Sequence, residues 1–209
     1  MTFFVAVLQE VKPELLDRVL ATMRGDFATS RRRHPGRRSS RIFQRLNQPN
    51  VLIALAEWDT QADYEALRRT PAYQQITLNA DPPARIEHLT RLRSFIRMVT
   101  SPAVVGCAAL TTPAEHAADL EAYMLGDVRH GVEAAPGLVG HEIFRVGNQP
   151  GHLLVVHGWR SIEDLERFRR TDGLTFEGRL SALRVVTERF TGVVAAQYSR
   201  HDPPPGGSG

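Results

Sequence analysis

Cysteine and lysine are almost missing from this 209-residue chain, in which Cys107 is the one cysteine and Lys12 the one lysine. A single cysteine excludes an intrachain disulfide and a cysteine-built zinc site. Set among Val105, Gly106 and Ala108, Cys107 reads as a small apolar strand residue. No apolar run approaches the roughly 20 residues that a membrane-crossing helix needs. Met1 leads straight into a strand-like segment rather than a charged and then apolar leader, so the expected location is the cytoplasm, with no membrane partner. No two histidines have convincing ligand spacing, which leaves no metal site to expect. Neither a flavin nor a nucleotide fingerprint is present.

The basic charge that is there is nearly all arginine: Lys and Arg total 26 against 23 Asp and Glu, a formal net charge of +3. Its densest run is Arg31-Arg32-Arg33-His34-Pro35-Gly36-Arg37-Arg38. Such a run could meet phosphates, but it carries no interleaved aromatics for stacking bases. It reads as a solvated helix end and loop, and no nucleic-acid partner is expected.

The most informative positive feature is a repeat. At an offset of 101 residues Pro35-Gly36 falls on Pro136-Gly137, Ile42-Phe43 on Ile143-Phe144, and Asn47-Gln48-Pro49 on Asn148-Gln149-Pro150. The register runs on without a gap through Trp58 on Trp159 to Arg68-Arg69-Thr70 on Arg169-Arg170-Thr171. The chain is a duplication, so one architecture is used twice, with expected domains at 1–100 and 101–200 and a disordered Pro/Gly-rich tail at 201–209.

Within each copy an apolar run of strand length (3–10, 103–110) is followed by a proline-opened helical pattern, with Leu16, Val19, Met23 and Phe27 or Ala117, Leu120, Met124 and Val128 on one face. Two strands follow at about 38–47 and 51–58, matched at 139–148 and 152–159, joined by the Asn-Gln-Pro turn. Thr60 and Ser161 offer hydroxyl N-caps to a second helix. A last strand closes each copy at about 88–99 and 185–198. The order is βαββαβ, and the expected class is α+β: two tandem ferredoxin-like repeats forming an intrachain pseudo-dimeric α+β barrel.

Leu52 to Arg69, LIALAEWDTQADYEALRR, and Leu153 to Arg170, LLVVHGWRSIEDLERFRR, put a Trp at the end of the third strand, then a small N-cap residue and an acidic-aromatic helix. In this the chain resembles the antibiotic biosynthesis monooxygenase family. The resemblance implies oxidation of an aromatic polyketide, phenol or anthrone to quinone, with molecular oxygen as co-substrate and no cofactor, in natural-product biosynthesis. It implies a hydrophobic aromatic small molecule as partner, and a homodimer of the tandem chain remains open. It also implies a pocket between sheet and helices in each copy, to which Trp58 and Tyr64, six residues apart, contribute as catalytic candidates. Trp159 matches Trp58, but Leu165 replaces the tyrosine. An asparagine that some members carry four residues before the Trp is absent from both copies, where Ala54 and Val155 stand.

The second copy offers different chemistry. His157, two residues before Trp159, shares its strand face and is a candidate base beside a ring platform; its counterpart is Ala56. His141, opposite Ser40 in the repeat, reaches the same place only if it faces the helices. Gln9 and Tyr73 are polar substrate-binding candidates for the first copy. All seven residues also admit a plain packing reading. A cyclase or isomerase using histidine acid-base chemistry and a non-catalytic hydrophobic small-molecule binder are the alternative functions.

Overall fold

The structure is a computed structural model that describes residues 2–78, 80–97 and 101–200; the tail expected at 201–209 lies outside them. Among the described residues there are eight strands: β1 Phe3–Glu10, β2 Arg37–Arg45, β3 Val51–Trp58, β4 Arg85–Ile96, β5 Val104–Thr111, β6 Leu138–Val146, β7 His152–Trp159 and β8 Val186–Ser199. Each strand of the second copy starts 101 residues after its counterpart: 3 and 104, 37 and 138, 51 and 152, 85 and 186. Even the β-bulge recurs, between Arg37 and Ser39 and between Leu138 and Gly140. Hydrogen-bonded neighbours follow the closed order β1-β3-β2-β8-β5-β7-β6-β4. This is the expected α+β class of two ferredoxin-like repeats.

By its contacts the chain forms two compact units: residues up to His88 with those from Val194 onward, and Leu89–Val193. In the first, β3 lies between β1 and β2, with Phe3 opposite Trp58 and Arg37 opposite Trp58 from the other side. In the second, β7 lies between β5 and β6, β4 adds to β6 from Leu89 to Ile96, and β8 adds to β5 from Val186 to Gly192. The last strand of each repeat therefore passes into the unit built from the other repeat.

In the first unit α1 (Leu16–Arg33) follows a single helical turn at Pro13–Leu15. Val19, Leu20 and Met23 on its buried face join Val11, Ile42, Leu52 and Ile76 in one core cluster, while Val5, Val7, Trp58, Tyr64 and Leu67 form a second. Thr60 caps α2 (Gln61–Arg68) by accepting from the Asp63 amide at 3.2 Å. Beyond the expected elements lies α3 (Pro71–Leu78). Thr70 accepts from the Tyr73 amide at 3.3 Å, and proline at the first helical position costs no hydrogen bond.

The second unit differs where its sequence differs. Asp172 replaces Pro71, and with a backbone N–H restored the chain passes from α6 (Ile162–Phe168) through a π-helical turn at Arg169–Gly173 into α7 (Leu174–Ala182). A second π turn, Met124–Val128, joins α4 (Ala117–Tyr123) to α5 (Arg129–Ala134). Both π turns lie in the unit that carries the histidine pair, and such wide turns are often found at functional sites. Trp159, Leu138, Ile143 and Leu120 centre its core.

The repeated Pro-Gly has a steric cause. A Cβ at Gly36 would overlap the carboxyl of Asp63, and one at Gly137 that of Asp164. Gly137 also has φ of +84°, the left-handed region that favours glycine.

Candidate functional site

Each unit contains a cavity between its strands and helices. Gln9 comes from β1, Arg37, Ser40 and Ile42 from β2, Ala56 and Trp58 from β3, and Tyr64 and Tyr73 from α2 and α3. All four residues expected in this first cavity, Gln9, Trp58, Tyr64 and Tyr73, thus line one space. The hydroxyls of Tyr64 and Tyr73 are 3.0 Å apart, and Tyr64 is 1% exposed. Burial, then the Tyr73 hydrogen bond, pushes the Tyr64 phenol well above its usual range; burial does the same to Tyr73. Both therefore remain protonated across the physiological range.

The arginine run needs correction at Arg37. It is not solvated but 3% exposed. It begins β2, donates through Nη1 to Asp26 at 2.6 Å, and stacks over the rings of Trp58 at 4.9 Å and Phe27 at 5.3 Å. Asp26 also meets His34 Nε2 at 3.1 Å. A buried guanidinium needs such a partner, because leaving water unpaired would cost several kcal/mol by about the scale of a broken buried pair. The warning in the sequence was the Pro-Gly turn, which ends the solvated stretch and hands Arg37 to a strand. Gln9 Oε1, Arg37 Nε and Trp58 Nε1 are buried with no hydrogen-bond partner among the described residues.

The second cavity has other walls: Gly106 and Ala108 of β5, Met124 and Val128 of the Met124–Val128 π turn, His157 of β7, Leu165 and Phe168 of α6, Arg169, Phe176 of α7 and Arg189 of β8. His157 faces Gly106 on one side and His141 on the other. The two imidazoles are stacked, centroids 5.0 Å apart and planes 2° from parallel. His141 is 1% exposed and lies behind His157 rather than on the cavity wall. Trp159 is likewise behind, its ring 6.3 Å from His157 and 5.1 Å from Phe168.

Both nitrogens of His141, Nδ1 of His157 and Nε1 of Trp159 are buried without hydrogen-bond partners among the described residues. Burial pushes His141 down to about 4, opposed by Glu133, and pushes His157 well below the ordinary histidine value, helped by His141 and Arg169. At neutral pH both rings are uncharged. Arg169 is fixed by Glu166 at 2.8 Å and Thr191 at 2.7 Å. Among the described residues no group of three His, Cys, Asp or Glu is placed to hold a metal ion, and no helix is long and apolar enough to cross a membrane.

Phe168, Phe176 and Arg169 were not anticipated. Phe168 replaces Leu67 in the repeat, a substitution visible in the sequence; Phe176 enters only because the π turn carries α7 to the cavity.

A model of the antibiotic biosynthesis monooxygenase family matches residues 1–77 and 104–175, well over half of the chain. No curated protein matches the sequence. Among solved structures, an anthrone oxidase-like protein superposes with a TM-score of 0.75 at 13% identity, covering 96% of this chain and 94% of its own. A candidate monooxygenase from Lactobacillus acidophilus gives 0.74 at 7% identity, covering 95% and 96%. One from Fusobacterium nucleatum gives 0.75 at 6%, covering 95% and 94%. At these identities the likeness establishes the fold.

Proposed function

The chain belongs to the antibiotic biosynthesis monooxygenase family, and from that premise we propose that it is a cofactor-independent oxygenase that converts a phenolic or anthrone-type polyketide ring to a quinone, using the second cavity as its reaction site. The observation that carries this reading is an uncharged His157 at the wall of an aromatic-lined cavity, with His141 stacked behind it.

A base that is neutral at working pH is ready to accept a proton. His157 takes the acidic proton of the substrate, and Phe168 and Phe176 hold the flat ring. The imidazolium formed would be costly alone in this buried place, so it persists only beside the anion that its own proton has left. Arg169 gives that anion a fixed positive edge. His141 positions the His157 ring by stacking on it.

The electron-rich anion passes one electron to O2, the two radicals join, and the resulting peroxide loses water. In sum CH2 plus O2 gives C=O plus H2O, with the substrate as its own reductant and one atom of oxygen retained. The family resemblance and the lack of a nucleotide fingerprint support the cofactor-free part of this reading.

Oxygen uptake by metal-stripped protein supplied with a reduced anthrone or naphthol tests it. One O2 consumed per quinone formed is the expected result. Histidine-dependent conversion without oxygen uptake would assign proton transfer alone, and no conversion of any such ring would overturn catalysis.

A further inference from the structure

The wall of the second cavity changes character along its length. His157, Leu165 and Phe168 surround one end, whereas Thr187 and Arg189 of β8 and Glu177 of α7 stand at the other. Strand register fixes how far apart these ends are. Gly106 pairs with His157 on one side and Thr191 on the other, and Ala108 pairs with Arg189. Arg189 is therefore two strands across and two residues along from His157, about 12 Å between Cα atoms by the usual strand spacing and rise. Both side chains line the cavity, and the floor between them is Gly106 and Ala108, too small to lift a flat ring off the sheet.

The first copy has neither the floor nor the charged end. At the 101-residue offset Gly106 and Ala108 answer to Val5 and Val7, and Glu177, Thr187 and Arg189 to Ile76, Ile86 and His88. In the second copy the two arginines on the wall are held differently. Arg169 is 30% exposed and fixed by Glu166 at 2.8 Å and Thr191 at 2.7 Å, on the strand position across Gly106 from His157. Arg189 meets only the outer carboxylate of Glu177, at 3.3 Å, with both side chains more than half exposed. Water screens such a pair, so exchanging its carboxylate for another costs little. A guanidinium also carries five N–H donors in a planar fork, more than one carboxylate takes up.

We propose that Arg189 determines the specificity of the second cavity, which takes an aromatic acid and holds its carboxylate at the charged end while the ring lies on Gly106 and Ala108 against His157. Arg169 then faces the charge that develops in the ring, and Arg189 the charge that the substrate brings with it. Thr187, two residues before Arg189 on the same strand face, adds a hydroxyl to the acid's site. That the acid is a substrate rests on the oxygenase reading; its recognition by Arg189 does not.

Calorimetry with anthraquinone-2-carboxylate and its neutral isostere anthraquinone-2-carboxamide tests this. Wild-type protein should bind the carboxylate about tenfold more tightly at low salt, the low end for a hydrogen bond to a charged group. The preference should shrink as salt is added, because the site is open to water. Arg189→Gln should bring the carboxylate down to the affinity of the carboxamide, and Arg189→Lys should restore part of the difference. Glu177→Gln, which removes the competing carboxylate, should widen it. Equal affinities in wild type, or a preference that survives Arg189→Gln, would each overturn the proposal, and the wild-type comparison needs no variant to fold. The two readings fail separately. No oxygen uptake with any reduced ring, while the carboxylate preference stands, would sink the oxygenase alone; uptake without that preference would sink the role of Arg189 alone.

Discussion

His141 on β6 and His157 on β7 are register partners whose rings stack in parallel with centroids 5.0 Å apart, and both nitrogens of the first and Nδ1 of the second have no hydrogen-bond partner among the described residues. Buried in parallel contact, the two imidazoles favour the uncharged state, since water does not solvate a charge on either ring and two imidazolium ions would repel. The pair is thus an arrangement that holds at neutral pH and is costly in acid.

Stability should therefore rise with pH across the histidine range. The folded His141 titrates at about 4, below its unfolded value of about 6.5, so between these values the unfolded chain binds more protons. Stability is fully present above the unfolded value and is lost as pH falls toward the folded one, by roughly 3 kcal/mol for a shift of this size. Urea midpoints at pH 7.5 and pH 5, measured on wild type and His141→Phe, check this. The variant should lose the share of the acid sensitivity that His141 carries while His157 keeps its own, and an unchanged pH slope would contradict the assignment.

His157→Ala should lower turnover by about 10²- to 10⁴-fold, the usual worth of a positioned base. Ala56→His should change it little, because the first cavity lacks the supporting groups. In wild type, kcat/KM should stay flat through about pH 6.5 and fall only at lower pH, since His157 lies well below the ordinary histidine range. An inflection at the ordinary value would place the base elsewhere.

Tyr73→Phe leaves the buried Tyr64 hydroxyl without its partner at 3.0 Å and should cost about 1–2 kcal/mol. Tyr64→Phe in addition removes the unmatched group, so the double variant should be less destabilised than the sum of the singles. Denaturant midpoints for the full cycle decide it, and simple additivity would show that the hydroxyls are not coupled.

Gly137→Ala should destabilise more than Gly36→Ala. Both would drive a methyl group into the first-turn aspartate of the following helix, Asp63 or Asp164, but Gly137 alone of the two also holds a left-handed φ. The difference should be about 1 kcal/mol, the usual strain for a side chain in that region. Equal losses in chemical denaturation would mean that overlap with the aspartate dominates.

The sequence was most legible where physics is local. Pro13, Thr60, Ser161 and the Asn-Gln-Pro turns mark element ends by their own backbone chemistry, while Trp58 and Tyr64 were placed in a cavity by the family resemblance, with Gln9 on the first strand and Tyr73 beyond Tyr64 as polar candidates beside them. Arg37 was misread because an arginine run is ordinarily solvated. Its burial depends on Asp26, eleven residues earlier on α1, and on the rings of Phe27 and Trp58.

By itself the sequence determined that this chain is one architecture written twice, because strand alternation, caps and turns act within a few residues and repeat with the letters. It also fixed where the copies part, at Ala56 and His157 and at Pro71 and Asp172. Only the tertiary structure decided which buried groups meet. The stacking of His141 on His157 arises from strand register, and the unmatched donors around Trp58 and Arg37 from the packing of helix on sheet; both join residues far apart in the chain.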